Sequence, residues 1–446
     1  MNSTLDYADP MESEENSFSA LDAGMLVFYL LVSIMPLERH PIWSRIIGGF
    51  TLTKYVGIAC TFYALFYLTA RQAPWSALRS SVAKVFVVFY AIAALSHFTK
   101  GPPGEVEFNP FASYTSFFLL FFVTVTLVDS LQRLRWTLLV AIGSVGLASV
   151  YVIREWQHYH NIYPGFRPGW VVGDANYFAL SAVLCAPLAF YLMKESDILW
   201  ERLYCFGCLL LTLVAVTLSA SRGGFLGLIV AFLFFIKRSA QPLRNFLLVT
   251  VLSAPIIIFA PASPVQRLLH PNYSDTSAED SRLQLWRAGL RMIARHPLTG
   301  IGLGNFKYTV TQYEAAGESL EKIAHNTYIG IAAEMGLPSI IVFVLILFCA
   351  FRDLSHAREL SLEEDIPLVY EAATGIQAGL LGAAVAIFFL SAETQKLLWL
   401  MIFLAPTLLA LTEYLVAQKE QHSESEPNDG SVAGESSVNL MEFEQN

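Results

Sequence analysis

Charged residues are scarce in this 446-residue chain: Asp, Glu, Lys and Arg make up 15% of it, against about 25% in an ordinary soluble domain. With 55% hydrophobic residues and a mean hydropathy of +0.50, that scarcity rules against a soluble globular protein. The N-terminus lacks the basic start and apolar core of a signal peptide. Residues 1–20 hold Asp6, Asp9, Glu12, Glu14 and Glu15 without a Lys or Arg, and read as a polar tail. Cysteine is equally sparse, and Cys60, Cys185, Cys205, Cys208 and Cys349 all lie in apolar runs, so no disulfide framework is implied. The CxxC spacing of Cys205 and Cys208 sits among Phe206, Leu209, Leu210 and Leu211, which makes the pair small residues of a membrane helix. A formal charge of −9 argues against nucleic acid as a partner and, at face value, against anionic lipid or phosphate ligands too.

The location of the acid changes that second inference. From Gln418 onward Lys419 stands against seven acids amid Ser, Gly and Pro, the composition of a disordered segment. The two tails carry −5 and −6 of the formal −9, which leaves residues 21–417 at +2. The chain therefore divides into a tail at 1–20, a slightly basic membrane body at 21–417 and an acidic tail at 418–446.

Apolar runs fall near 22–37, 48–69, 82–98, 113–129, 135–153, 176–193, 203–219, 224–236, 244–260, 326–350, 372–391 and 397–416. They predict an all-α, polytopic membrane protein with about 12 transmembrane helices, at roughly 20 residues per crossing. An even number puts both tails on one side. With that side cytoplasmic, the short inner loops hold twelve basic residues against eight outside, as the positive-inside bias requires.

Seven more basic residues fall in one long outer segment, about 261–325. Its centre, SRLQLWRAGLRMIARHPLTGIGLGNFK from Ser281 to Lys307, carries Arg282, Arg287, Arg291, Arg295 and Lys307 without an acid. Leu283, Leu285, Trp286, Leu290, Met292 and Ile293 recur at helical spacing, and Pro297 with Gly300 stops the run, which predicts an amphipathic helix on the outer membrane face. Arg287, Arg291 and Arg295 form an i, i+4, i+8 row, read either as a solvated or headgroup-facing surface or as an anion site; Arg282, in the first turn, is the stronger anion candidate. GIGLGNF reads as a tight re-entry turn, because no strand precedes it as a nucleotide loop would need. His325 and Asn326 then stand at the water boundary, where an imidazole can accept a proton from a sugar hydroxyl. Glu334, three helical turns on, reads as structural polar packing.

Two other outer features matter. SASRGG joins two apolar runs with almost no loop and puts Arg222 at the membrane edge, where a guanidinium needs an anion, carbonyl oxygens or a route to the surface. The stretch 154–177 contains His158, His160, Arg167, Gly173, Asp174 and Asn176 in a Pro- and Gly-bearing structured loop. Its ligand set is too small for a metal, and no DxD pair faces outside, so arginines would have to carry phosphate charge. Internal repeats and midplane polar groups, the marks of a lipid or anion transporter, are not evident, though that reading stays as the non-enzymatic alternative.

In this order, SASRGG, SRLQLWRAGLRMIARHPLTGIGLGNF and HNTYIGIAAEMGLPS resemble the bacterial O-antigen ligase and polymerase superfamily, its ligases above all. GDANYFA (173–179) is a weaker match, coverage is best from about 160 to 345, and the first five spans match only in hydropathy. The resemblance implies a glycosyltransferase of GT-C-like architecture in the bacterial cytoplasmic (inner) membrane, acting on the periplasmic side without metal or cofactor. Its donor would be a glycan on undecaprenyl diphosphate and its acceptor lipid A core oligosaccharide. O-antigen polymerase and protein O-oligosaccharyltransferase are the alternatives within the superfamily. Carried onto this chain, Arg222 and Arg282 would bind the donor diphosphate. His325 would be the general base of an inverting displacement, with Arg167, Asp174, Asn176, Arg287 and Asn326 in supporting places. Where the family pattern often continues ExGLxG, Ser339 stands at the second glycine, which puts the local helix packing in question.

Overall fold

A computed structural model describes residues 23–37, 40, 51–70, 76–101, 110–163, 166–169, 174–238, 243–244, 247, 273–314 and 322–425. Among the described residues there are helices and turns but no strand. In chain order the main helices are α1 (Ala23–Ile34), α2 (Leu52–Ala70), α3 (Ser81–Lys100), α4 (Pro110–Leu127), α5 (Leu131–Tyr159), α6 (Ala175–Glu195), α7 (Leu199–Ser219) and α8 (Arg222–Arg238). They continue with α9 (Tyr273–Arg295), α10 (Thr327–Met335), α11 (Leu337–Glu363), α12 (Pro367–Ala386) and α13 (Lys396–Ser425). Eight of them, α3 to α7 and α11 to α13, are long and apolar enough to cross a membrane, so this is a multi-pass membrane protein.

Eleven of the twelve apolar runs coincide with helices. The other, 244–260, falls almost wholly outside the described residues, as do the 1–20 tail and residues 426–446. Three boundaries differ from expectation. α9 begins at Tyr273, so Arg282 stands well inside the helix and not in its first turn, away from the helix N-terminus. The last helix continues to Ser425, past the expected start of the tail at Gln418, and Lys419 Nζ reaches the Glu364 carbonyl oxygen at 2.7 Å. The run 326–350 is two helices, because Gly336 adopts φ +84° and Pro338 stands in the first turn of α11. A side chain at Gly336 would collide with the Leu298 carbonyl, and Leu337 N instead donates to Pro297 O at 2.7 Å. Ser339 stands at the expected second glycine: it is fully buried, and its hydroxyl reaches the carbonyls of Ile331 (3.1 Å) and Gly336 (2.6 Å) on either side of the break.

The core of the bundle lies around Trp399, which is fully buried and ringed by Phe86, Phe89, Phe117, Phe343 and Phe403. Beside it, α6, α8 and α12 approach through small residues. A Cβ placed on Gly227 would lie 2.7 Å from Gly382 O, and one on Gly382 would lie 2.5 Å from Gly227 O, so neither position admits a side chain without separating the helices. This contact holds the start of α8 beside the end of α12.

One end of the bundle is laced by ion pairs whose acids are buried or nearly so. Arg135 joins the α5 start to Glu195 and Glu201, both at 3.0 Å, and Lys194 pairs with Glu371 at 2.6 Å. These basic residues all come from loops predicted to share one side, and the acids that neutralise them are invisible to a count of Lys and Arg alone. Deeper still, Arg133, 2% exposed, donates to Asp129 Oδ1 (3.0 Å) and to the Tyr67 hydroxyl (2.6 Å), while Tyr67 donates to Asp129 Oδ2 (2.6 Å). Replacing Arg133 by Met takes the guanidinium from the buried Asp129 carboxylate; breaking such a pair costs about 3–5 kcal/mol. Thermal unfolding of the purified variant in detergent should show a large loss of stability, and Tyr67→Phe, which keeps the ion pair, a smaller one of about 1 kcal/mol.

Candidate active site

The other end of the bundle is built where helices begin. Asp174 caps α6, its carboxylate accepting from the amides of Asn176 (2.7 Å) and Tyr177 (3.3 Å). Ser221 precedes α8, accepts from Gly224 N (3.3 Å), and donates its hydroxyl to Asn176 Oδ1 at 2.8 Å, which fastens the start of α8 to the start of α6. Asn326 caps α10, with Oδ1 accepting from Ile329 N at 3.0 Å. Thr327 then ties that start to the turn after α12, through Thr327 N to Ile387 O (3.0 Å) and the hydroxyl to Leu390 O (2.8 Å). Gly223 lies against the same turn, where a Cβ would come within 2.9 Å of Phe389 Cβ. Three helix N-termini, with their positive dipole ends, thus share one rim.

His325 sits on this rim with φ +49°, a left-handed conformation that is uncommon outside glycine. Its neighbours are drawn from distant parts of the chain. Burial lowers the pKa of His325 from the ordinary imidazole value; the charge of Arg282 lowers it further, Asp174 raises it and Lys322 lowers it. The imidazole is therefore kept neutral, able to accept a proton, among cations suited to an anion. Next to it the Asn326 side chain is fully buried, and its Nδ2 has no hydrogen-bond partner among the described residues, which leaves an amide donor at the base of the rim.

The predicted residues fall into two groups. Arg282, Asp174 and Asn326 come together with His325. Arg222 joins the rim through its neighbours, Ser221 bonded to Asn176 and Gly223 packed on the turn that holds Thr327. Arg167 braces the same assembly: Nε donates to Ser219 O (3.1 Å) and Nη2 to Asn176 Oδ1 (3.1 Å), so one amide oxygen receives both Arg167 and Ser221. The arginine row on α9 is not part of this cluster. Arg291 donates to Tyr313 O at 2.6 Å and Arg295 stacks 5.2 Å over the Tyr313 ring, while Arg287 is exposed on the same side.

Packing explains how α9 delivers Arg282. Leu285, Ala288 and Met292 are fully buried, Gly289 lets Ile329 of α10 approach, and Trp286 Nε1 donates to Ala324 O at 3.1 Å, one residue before the histidine. The GIGLGNF segment is the expected turn, with Gly300, Gly302 and Gly304 all at positive φ. Glu334 grips it, accepting from Gly304 N (2.9 Å) and Phe306 N (3.1 Å), as its reading as a packing residue requires. The histidines of the 154–177 stretch are turned to local contacts. The His160 ring stacks on Trp156 at 3.9 Å with Nδ1 2.7 Å from Trp156 O, and His158 lies edge-on to Tyr159. Gly173 lies outside the described residues. Among the described residues no three His, Cys, Asp or Glu side chains gather as ligands for a metal would.

From the sequence Lys322, Ser221 and Trp286 had no place at the site, Trp286 being only one of the apolar positions of the basic helix. Ser221 carries a signal in retrospect, a serine three residues before Gly224 at a helix start. Lys322 has none beyond its nearness to His325, and the bond from Trp286 to Ala324 spans 38 positions without a pattern to announce it.

Residues 207–344 match the family model described as O-Antigen ligase. The matched stretch contains Arg222, Arg282 and His325, and stops short of Arg167, Asp174 and Asn176. No curated protein matches the chain.

The electrostatics of His325 give two opposed expectations. Arg282→Gln removes a charge that lowers its pKa, so the imidazole should titrate at higher pH than in the parent. Asp174→Asn removes the opposing charge and should move the titration to lower pH. NMR of histidine-labelled protein reads both shifts, and movement of both variants in the same direction would contradict the arrangement.

Proposed function

We propose, from the match of residues 207–344 of this multi-pass membrane protein to the O-antigen ligase family model, that it transfers a glycan from undecaprenyl diphosphate to an acceptor hydroxyl. The acceptor in this reading is lipid A core oligosaccharide, and the reaction takes place at the periplasmic face of the inner membrane. The observation that carries the reading is the meeting of Arg282 and Asp174 at His325, an imidazole held neutral beside cations inside the matched domain.

In the proposed reaction the acceptor oxygen attacks the anomeric carbon of the donor sugar as the bond from that carbon to the diphosphate oxygen breaks. The hydroxyl proton passes to His325, and the diphosphate leaves with the bonding electron pair. Arg222 and Arg282, beside the positive ends of the helix starts, receive the charge that grows on the leaving group, and direct displacement inverts the anomeric centre. Arg167, Asp174, Asn176 and Asn326 hold the rim in register. The charge stabilisation in this scheme is assigned to guanidinium groups, whose planar forks bind phosphate oxygens and keep their charge at any physiological pH.

The test is transfer by the purified full chain from a lipid diphosphate glycan to lipid A core, to a second lipid-linked repeat and to a protein acceptor in parallel. Glycan on lipid A core is the expected product; elongated lipid-linked glycan alone would make the protein a polymerase, and no transfer to any of them would overturn the reading. His325→Ala should lower kcat by roughly 10²–10⁴-fold with the fold intact. Removing either Arg222 or Arg282 should cost about 10²–10³-fold.

A further inference from the structure

The helix that delivers Arg282 has a second face that the site leaves unused. Leu283 and Leu290 of α9 and Leu298 just beyond it are 48%, 56% and 74% exposed. Arg287, Arg291 and Arg295 are exposed among them. α9 is not one of the helices apolar enough to cross a membrane, so lipid tails around a spanning helix do not account for these leucines. From Arg282 to Gln312 there is no acid. The surface is thus cationic and apolar together, which matches an amphiphile that bears phosphate.

This face is also rigid. Its reverse side is locked into the protein by Leu285, Ala288 and Met292, and Trp286 is bonded to the residue before His325. Tyr313 holds Arg291 through its carbonyl and Arg295 through its ring, and its hydroxyl lies 3.1 Å from His296 Nε2. Guanidinium groups at i, i+4 and i+8 advance by about 6 Å per step, and the helical stretch from Leu283 to Arg295 is about 18 Å long. A bulk leaflet can satisfy arginines and leucines, but it needs neither forks held in place nor a helix bolted to the loop of the base. A defined ligand that must present a hydroxyl to His325 needs both.

We propose that the exposed face of α9 docks the acceptor as a phosphate-bearing glycolipid, its phosphates on Arg287, Arg291 and Arg295 and its apolar flank against Leu283, Leu290 and Leu298. The proposal rests on the glycosyl-transfer reading above and adds where the acceptor is held and by which chemistry.

The experiment uses the full chain in phosphatidylcholine nanodiscs, with a labelled phosphorylated glycolipid acceptor and the same acceptor after phosphatase treatment, read by direct binding and by transfer. The variant R287Q/R291Q/R295Q should raise both Kd and KM for the phosphorylated acceptor by about tenfold or more, as loss of charged hydrogen bonds entails. Its kcat and its KM for the donor should be unchanged, its affinity for the dephosphorylated acceptor should equal that of the parent, and R287K/R291K/R295K should recover most of the loss. Because Arg291 and Arg295 also hold Tyr313, the single variant Arg287→Gln serves as the control for folding and should move KM in the same direction by a smaller factor. Equal weakening for both acceptor forms, no weakening for either, or loss of parent acceptor binding when phosphatidylglycerol is added to the nanodisc would each overturn the docking site. Phosphate-dependent binding without transfer to any acceptor would support the docking site and overturn the transfer reading alone.

Discussion

The carboxylate of Glu334, at the end of α10, accepts two backbone amides from the turn at 304–306, and that grip joins the water-facing segment of the protein to its membrane body. The remaining local features make the grip feasible. Gly300, Gly302 and Gly304 take up positive φ so that the turn can wrap the helix end, and Gly336 lets α10 stop where the turn needs room. Ile301 N and Gly302 N then bond to the last carbonyls of α10, at Ala333 and Glu334, and the Ser96 hydroxyl of α3 joins them on Glu334 O at 2.7 Å. With the turn fixed, Phe306 packs at Gly289, α9 lies along α10, and Arg282 arrives beside a histidine 43 positions later in the chain. The basic helix is positioned by this junction more than by any contact of the arginines themselves.

On the rim so formed, electrostatics act in one direction. Helix starts α6, α8 and α10 present positive dipole ends, Arg282 and Lys322 add full charges, and burial withholds water from the imidazole. Each of these favours an anion beside a neutral base. Asp174 opposes them, and its carboxylate is partly spent on the amides of its own helix. Arg167 and Ser221 share one acceptor, Asn176 Oδ1, so the three segments that meet there cannot shift independently. A site of this construction has its charge arranged before a substrate arrives, which is the condition under which fixed dipoles stabilise a developing negative charge.

Much of the fold was legible in advance because long apolar runs have only one stable fate in a bilayer. The break at Gly336 was hidden, since Gly336, Leu337 and Pro338 sit uncharged inside a run of full membrane length. Arg133 looked like one more basic residue of an inner loop; its burial depends on Tyr67, 66 positions earlier, and no local pattern reports that. For the site, the position of His325 at a water boundary and of Arg222 in a loop too short to hide it could be read from the sequence. The approach of Asp174 to His325 could not, because it depends on how α6 and α10 are arranged across the rim. The arginine row on α9 shows the opposite difficulty: its spacing was plain, but two of its members are held by Tyr313, which only the folded segment brings near.

The claim on which the rest turns is that the leaving diphosphate rests on Arg222 and Arg282 with the sugar carbon toward His325. An experimental structure of the full chain with a non-transferable lipid diphosphate sugar tests it most directly. The account predicts both phosphates within hydrogen-bonding reach of those two guanidinium groups, at the shared start of α6, α8 and α10, and the anomeric carbon on the side of the imidazole. A diphosphate bound elsewhere on the protein, or bound at the rim with its sugar turned away from His325, would contradict it.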